Sequence, residues 1–168
     1  MKKQRDNYTF LTHAPVHRVI VSMAVPTIIS MLVTSIYGMV DTYYVGQINT
    51  QSTAAVGISF SIMTIIQAIG FFFGHGSGNY ISRMLGAKRT DEAKYMAATG
   101  LVGSVTFGLA VAVVGLAFLS DICIFLGSTE TILPYTERYL GIILVGAPFM
   151  TGAFTLNNQM RFQGNAKY

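Results

Sequence analysis

The sequence predicts an all-α protein that crosses a membrane four times, and three observations carry that prediction. Charged residues make up only 11% of the 168 positions while hydrophobic ones make up 52%, whereas a soluble domain is about a quarter charged. Such an inventory cannot cover a compact domain with polar surface. The charges also cluster, leaving uncharged windows at 19–40, 42–82, 95–120 and 139–160. When these windows are threaded as helices, the basic residues sort to one side. The same composition excludes a disordered tail, a disulfide scaffold and a zinc module, since the one cysteine is Cys123 and no cluster of ligands accompanies it.

A spanning helix needs about 20 apolar residues at about 1.5 Å each. The first is expected at about 18–43. It is no cleaved leader, because its apolar part exceeds the usual h-region and no small-x-small site follows. The 42–82 window has room for two spans, but Thr42 to Ser52 is too polar for lipid. It reads as a loop leading into one helix at about 53–82, which Gly86 can close as a C′ residue. The third span is expected at about 92–119, capped by Thr90, Asp91 and Glu92 with the acids at the positive end of the helix dipole. After a short apolar piece and the break at Gly127, Ser128, Thr129 and Glu130, the fourth runs at about 133–160.

Orientation follows the positive charges. Lys2, Lys3, Arg5 and Arg18 precede the first span; Arg83, Lys88, Arg89 and Lys94 lie between the second and third; Arg161 and Lys167 follow the fourth. Arg138 alone falls on the other side, so ten of the eleven basic residues mark the cytoplasmic face and both termini lie there. Topology thus accounts for the basic pI of about 9.3, and nucleic acid is not expected as a partner. Within the spans, Gly70, Gly74, Gly78 and Ser82 recur every four residues, as do Gly100, Ser104, Gly108 and Ala112. Both stripes are expected to be helix-contact faces.

Few residues offer chemistry. Asp41 is the acid bordering a span on the non-cytoplasmic side, where an ionised carboxylate at mid-bilayer would cost about 2.5–3.5 kcal/mol. It lies about 33 Å along the helix from Val19, near the rim of the hydrocarbon, so position alone leaves a functional acid and a hydrated helix-end acid equally open. Tyr37, four residues earlier, shares its face and can donate to a carboxylate or help coordinate a cation. By position it reads as an interfacial anchor, like Tyr43, Tyr44, Tyr135 and Tyr139. Pro26 and Pro148 each loosen a span. Asn157 and Asn158 are polar groups that need partners. His75 lacks a partner at helical spacing, and Cys123 is expected only to pack. Gly74, Gly76 and Gly78 lie within a helix and follow no strand, so they are no dinucleotide fingerprint. No catalytic residue, cofactor or metal cluster is expected, and the chain does not read as an enzyme.

Three segments together resemble one family. The first is Val25-Pro26 followed by Met39 to Gln47 and Ala54-Ala55-Val56-Gly57. The second is Gly76-x-Gly78-Asn79-Tyr80-Ile81-Ser82-Arg83-x-x-Gly86-Ala87, and the third is Asn157-x-x-x-Arg161-x-x-Gly164-Asn165-x-Lys167. In this order and at these distances the chain resembles the multidrug and toxic compound extrusion (MATE) transporters, most of all their bacterial DinF- and MepA-like branch, over essentially its whole length. The resemblance implies twelve helices in two six-helix lobes, of which the four here begin the N-terminal lobe; the rest of the transporter is then a missing partner.

It also implies a multi-pass protein of the bacterial cytoplasmic membrane that exports cationic, amphipathic drugs against inward H+ or Na+. On this resemblance Asp41 takes part in cation coupling and is the place for a sodium ion, and Tyr37 and Asn157 are implicated in the same role. The motif's arginine selects Asn157 over Asn158. Pro26 becomes the hinge of the first helix. Asp41 is expected in a low-dielectric pocket, where its neutralisation releases the first helix to bend. Two alternatives stand beside this reading: a lipid-linked oligosaccharide flippase of the same superfamily, and a stand-alone four-helix structural membrane protein.

Overall fold

The computed structural model describes residues 14–163. Lys2, Lys3, Arg5, Lys167 and the Gly164–Asn165 part of the third motif lie outside them. Five helices follow in order: α1 (Val16–Ile48), α2 (Thr50–Gly86), α3 (Thr90–Ala117), α4 (Leu119–Phe125) and α5 (Leu133–Phe162). Strands are absent among the described residues. α1, α2, α3 and α5 are long and apolar enough to cross a membrane, and the all-α, four-span architecture follows.

The polar stretch after Asp41 differs from expectation. Instead of a loop, α1 continues to Ile48 and α2 begins at Thr50, leaving Asn49 as the whole connection. Polarity bars these residues from hydrocarbon but does not stop a helix from projecting beyond it. The break is made by Asn49, whose backbone is extended and whose carboxamide oxygen accepts from the Ser52 N–H at 2.6 Å, an N-cap that also starts α2.

The next connection departs in two details. Gly86 is the last residue of α2, and the left-handed position falls to Lys88 (φ 61°). The Arg89 N–H reaches the Met84 carbonyl and the Lys88 N–H that of Leu85, which closes the helix as a Schellman pair. At the start of α3 no side chain caps the helix. Asp91 binds Lys94 at 3.0 Å, and Glu92 pairs with Arg89. The acids still lie in the first turn, where the dipole favours them.

α2, α3 and α5 form a packed trio, with α4 laid against α5. The small-residue stripes build its seams. A Cβ on Gly70 would stand 2.6 Å from the Phe154 Cβ, and one on Gly74 2.8 Å from the Asn158 Cβ; Gly78 is met by the Phe162 ring. From α3, Gly100 fits against Ser77 and Gly115 against Leu144, while Gly108 lies under Pro148 and Thr151. Three polar side chains of α5, spaced four apart, bond across these seams. Thr151 Oγ1 donates to the Ser104 carbonyl at 3.0 Å and Thr155 Oγ1 to the Gly70 carbonyl at 3.2 Å. Gln159 Nε2 donates to both Ser77 Oγ at 2.9 Å and the Ala97 carbonyl at 3.2 Å, joining all three helices at once. By contrast, the most apolar stretch of α1 has no buried residue.

Candidate functional site at the outer end of α1

Helical spacing places Tyr37, Asp41 and Val45 on one face of α1, one turn apart. α5 runs back from the outer end and brings Tyr135, Arg138, Tyr139 and Ile142 opposite. Val45 joins these four, with Ser52, Ala55 and Val56 of α2, around a groove of about 270 Å³. Asp41 lies one turn and Tyr37 two turns below Val45, on the side of α1 within electrostatic range of Tyr139. One turn below Ala55, Ser59 is fully buried, and its hydroxyl is the one buried side-chain polar atom without a partner among the described residues. The groove sets the Arg138 guanidinium and the Tyr135 and Tyr139 phenols where α1, α2 and α5 converge, with the Asp41 carboxyl and the Tyr37 phenol further along α1. It has donors and acceptors for a cation or a hydrated polar group, and nothing that makes a nucleophile.

Asp41 and Tyr37 share one face of α1, and both are exposed, Tyr37 at 73%. The dry pocket expected around Asp41 is therefore not formed by these residues, because α1 packs too lightly to enclose it. Pro26 is half-buried within an uninterrupted α1. Asn157 is exposed on α5, and its distance from Tyr139, eighteen residues on, is about 27 Å along the helix. It is not brought to Asp41. Its neighbour Asn158 is the buried one, with Nδ2 donating to the Phe154 carbonyl at 2.8 Å.

Tyr139 was legible only as an interfacial aromatic, since its meeting with Asp41 spans almost a hundred residues of sequence. The Thr151, Thr155, Gln159 series was readable from its period of four. His75 is exposed; its Nδ1 lies 2.9 Å from the Phe71 carbonyl, and its ring stands edge-on to Phe71 and Phe162. Cys123 packs against Leu140 and Leu144 on α5. Burial pushes its thiol above the ordinary range, and the Glu137 carboxylate adds to that. Among the described residues no group of three or more His, Cys, Asp or Glu gathers to hold a metal ion.

The family profile MatE matches residues 26–168. The multidrug export protein MepA of Staphylococcus aureus is 33% identical over 111 residues, which is 66% of this chain and 25% of MepA. MepA of Staphylococcus haemolyticus is 34% identical over the same length. The chain thus spans about a quarter of the length of the curated relatives it matches.

Among solved structures, a MATE transporter in complex with MaD3S superposes with a TM-score of 0.83 at 26% identity, covering 88% of this chain and 33% of that one. A transporter of the MOP superfamily from Pyrococcus furiosus, for which a reversed polarity of the binding pocket suggests a different function, gives 0.83 and 26% over 89% and 33%. The P26A mutant of a MATE protein shares the fold, with a TM-score of 0.87 at 24% identity over 94% of this chain and 35% of that one.

Proposed function

The chain belongs to the MatE family of multidrug transporters, and on that premise we propose that it serves a cation-coupled antiport in which H+ or Na+ enters at Asp41 and a cationic, amphipathic compound leaves. The observation that carries this reading is the pairing of Asp41 and Tyr37 on the one spanning helix that is not locked into the trio. A proton or sodium ion at Asp41 cancels the charge that α1 presents to Tyr139 and the groove. α1 then moves against α2, α3 and α5, which their interhelical hydrogen bonds hold as a block. Pro26, without an N–H to give to the helix ladder, is where α1 bends most cheaply. The ion drives the change only to the extent that it binds one arrangement better than the other. Asn157, far along α5, would meet the cation only at the other end of its path.

The membrane placement is plain from the four spans; the bacterial cytoplasmic membrane is part of the proposal, as MepA is bacterial. The flippase reading draws on Arg138, the basic group lining the outer groove, but an anionic lipid headgroup would call for more than one. The test is Asp41→Asn in a complete transporter carrying this chain. Efflux of a lipophilic cation is measured with a pH gradient and a sodium gradient imposed separately. Loss of efflux under the gradient that drives the parent is expected; unchanged efflux under both would falsify the coupling role.

A further inference from the structure

A second groove, in the outer half of the trio, is lined by apolar side chains alone. Its volume is about 340 Å³, and its wall includes Ile62 and Ile65 of α2, Phe107 and Val114 of α3, Ile122 of α4 and Leu140 of α5. Its depth is set by α3. The lining residues there run from Phe107 to Gly115, and the helix ends at Ala117. The groove therefore follows the outer end of α3 for about 12 Å. One leaflet of a hydrocarbon core about 30 Å thick is of similar depth.

The mouth has a charge of its own. Exposed Asp121 precedes Ile122, and Glu137 stands one turn outward of Leu140, where it accepts a hydrogen bond from Ser120 Oγ. Cys123 packs behind Ile122 and Leu140, and the Ser120 bond holds the Glu137 carboxylate at the junction of α4 and α5 beside them. Arg138 lines the other groove, with Tyr135 and Tyr139. An apolar channel close to one leaflet deep thus opens beside the α4 and α5 segments that carry two carboxylates, complementary to an acyl chain below an ammonium group.

We propose that this groove holds one acyl chain of an outer-leaflet phospholipid whose ammonium headgroup lies against Asp121 and Glu137. Phosphatidylethanolamine has both parts. Phosphatidylglycerol offers the same chain but sets a phosphate before the two carboxylates with no amine to offset it.

The chain contains no tryptophan, so one introduced indole reports alone. Phe107→Trp places it in the groove, and Val113→Trp places it on the same helix outside the groove, at a site 61% exposed. A complete transporter carrying this chain, its tryptophans elsewhere replaced by phenylalanine, is titrated in detergent with phosphatidylethanolamine or phosphatidylglycerol carrying brominated acyl chains, which quench on contact. With brominated phosphatidylethanolamine, F107W is expected to quench to a plateau at a single lipid per chain, and V113W to quench weakly and without saturation. Brominated phosphatidylglycerol should bind about threefold more weakly, the scale of one exposed ion pair. Asp121→Asn with Glu137→Gln should erase that preference while leaving the plateau in place. Equal, unsaturable quenching of both indoles overturns the site, and equal affinity for the two lipids overturns the headgroup assignment. Native mass spectrometry of the unaltered transporter reads the same question without an indole. A retained phosphatidylethanolamine adduct under conditions that strip phosphatidylglycerol supports the proposal, and loss of both at the same energy overturns it.

Discussion

α1 and the trio of α2, α3 and α5 are built from the same kind of sequence, yet one is bare and the other packed. α1 is the most apolar of the four spans and buries nothing in its apolar window; α5 is the least apolar, and a third of its window is buried. Hydropathy therefore decides which segments enter the membrane, and something else decides which of them touch. Spacing of small residues is only half of that. α1 has a stripe too: Ser30, Thr34, Gly38 and Thr42 lie four apart. But its threonine hydroxyls turn back onto their own helix, at the Ser30 and Gly38 carbonyls, and Gly38 has open space where a Cβ would go. The α2 stripe differs because α5 presents Phe154, Asn158 and Phe162 at the matching period, with Thr155 and Gln159 bonding beside them. A stripe gives a helix the capacity for close approach; a complementary series on the facing helix uses it.

The glycines give the largest expected effect. At Gly108 an added methyl would stand 2.8 Å from the Pro148 Cα and 3.2 Å from the Ala147 carbonyl oxygen. Both are backbone atoms, which cannot swing away. Gly108→Ala is expected to destabilise the trio by about 2–3 kcal/mol, the upper range for overpacking. Gly38→Ala and Gly76→Ala meet nothing within 4 Å and are expected to be neutral or stabilising by about 0.5–1 kcal/mol, since alanine holds a helix better. Denaturation of the three variants in mixed micelles measures the contrast. A Gly38→Ala loss as large as that of Gly108→Ala would show that α1 is packed after all. Gly76 sharpens the point, because it lies between Gly74 and Gly78 in one run of sequence yet faces away from the seam.

How much of this was legible in the sequence depends on whether the signal is local. The four spans, the stripes as contact faces and the packing role of Cys123 follow from composition and period, which the chain carries within each helix. Polarity between Thr42 and Ser52 marks the end of the hydrocarbon and not the end of a helix, so composition alone does not locate the break at Asn49. Lys88 took the left-handed position, not Gly86, since the helix needed to run through Gly86 before it turned. At the candidate site, Asp41 and Tyr37 could be paired from their spacing of four. Tyr139 and the groove around Arg138 could not, because they come to the outer end of α1 only through the placement of α1 against α5. Asn157 closes the inner end of α5, about 27 Å along the helix from Tyr139, as its place beside the cytoplasmic Arg161 already implies.

Gln159 supplies the next effect. Its amide binds α2 and α3 together, and buried bonds of this kind in membranes are each worth about 0.6 kcal/mol, up to about 1.7. Gln159→Leu keeps the bulk and loses both bonds, so a loss of about 1–2 kcal/mol is expected. The Ser77 hydroxyl keeps a partner in the Phe73 carbonyl, which limits the cost. Asn157→Leu, at the neighbouring exposed position, should change stability by under about 0.5 kcal/mol. If the two variants unfolded alike, the seam would not be held by its polar bonds.

The smallest effect is a dependence on pH. Cys123 is fully buried where α4 meets α5, and its thiol is held above the ordinary range by that burial and then by Glu137. In the unfolded chain the thiol ionises first as the pH climbs, so the folded state then binds the extra proton. The contribution to stability is complete below the ordinary thiol pKa of about 8.5 and is lost as the pH rises through it. Wild type should therefore lose stability between about pH 8 and 10 more steeply than Cys123→Ala, which has nothing to titrate there. In the folded protein, alkylation by N-ethylmaleimide should proceed only as fast as α4 opens, because the reactive species is the thiolate and the site excludes it. Fast labelling at pH 7.5 in mild detergent would place α4 with α1, among the lightly held parts of the molecule, and would shrink the packed block to α2, α3 and α5 alone.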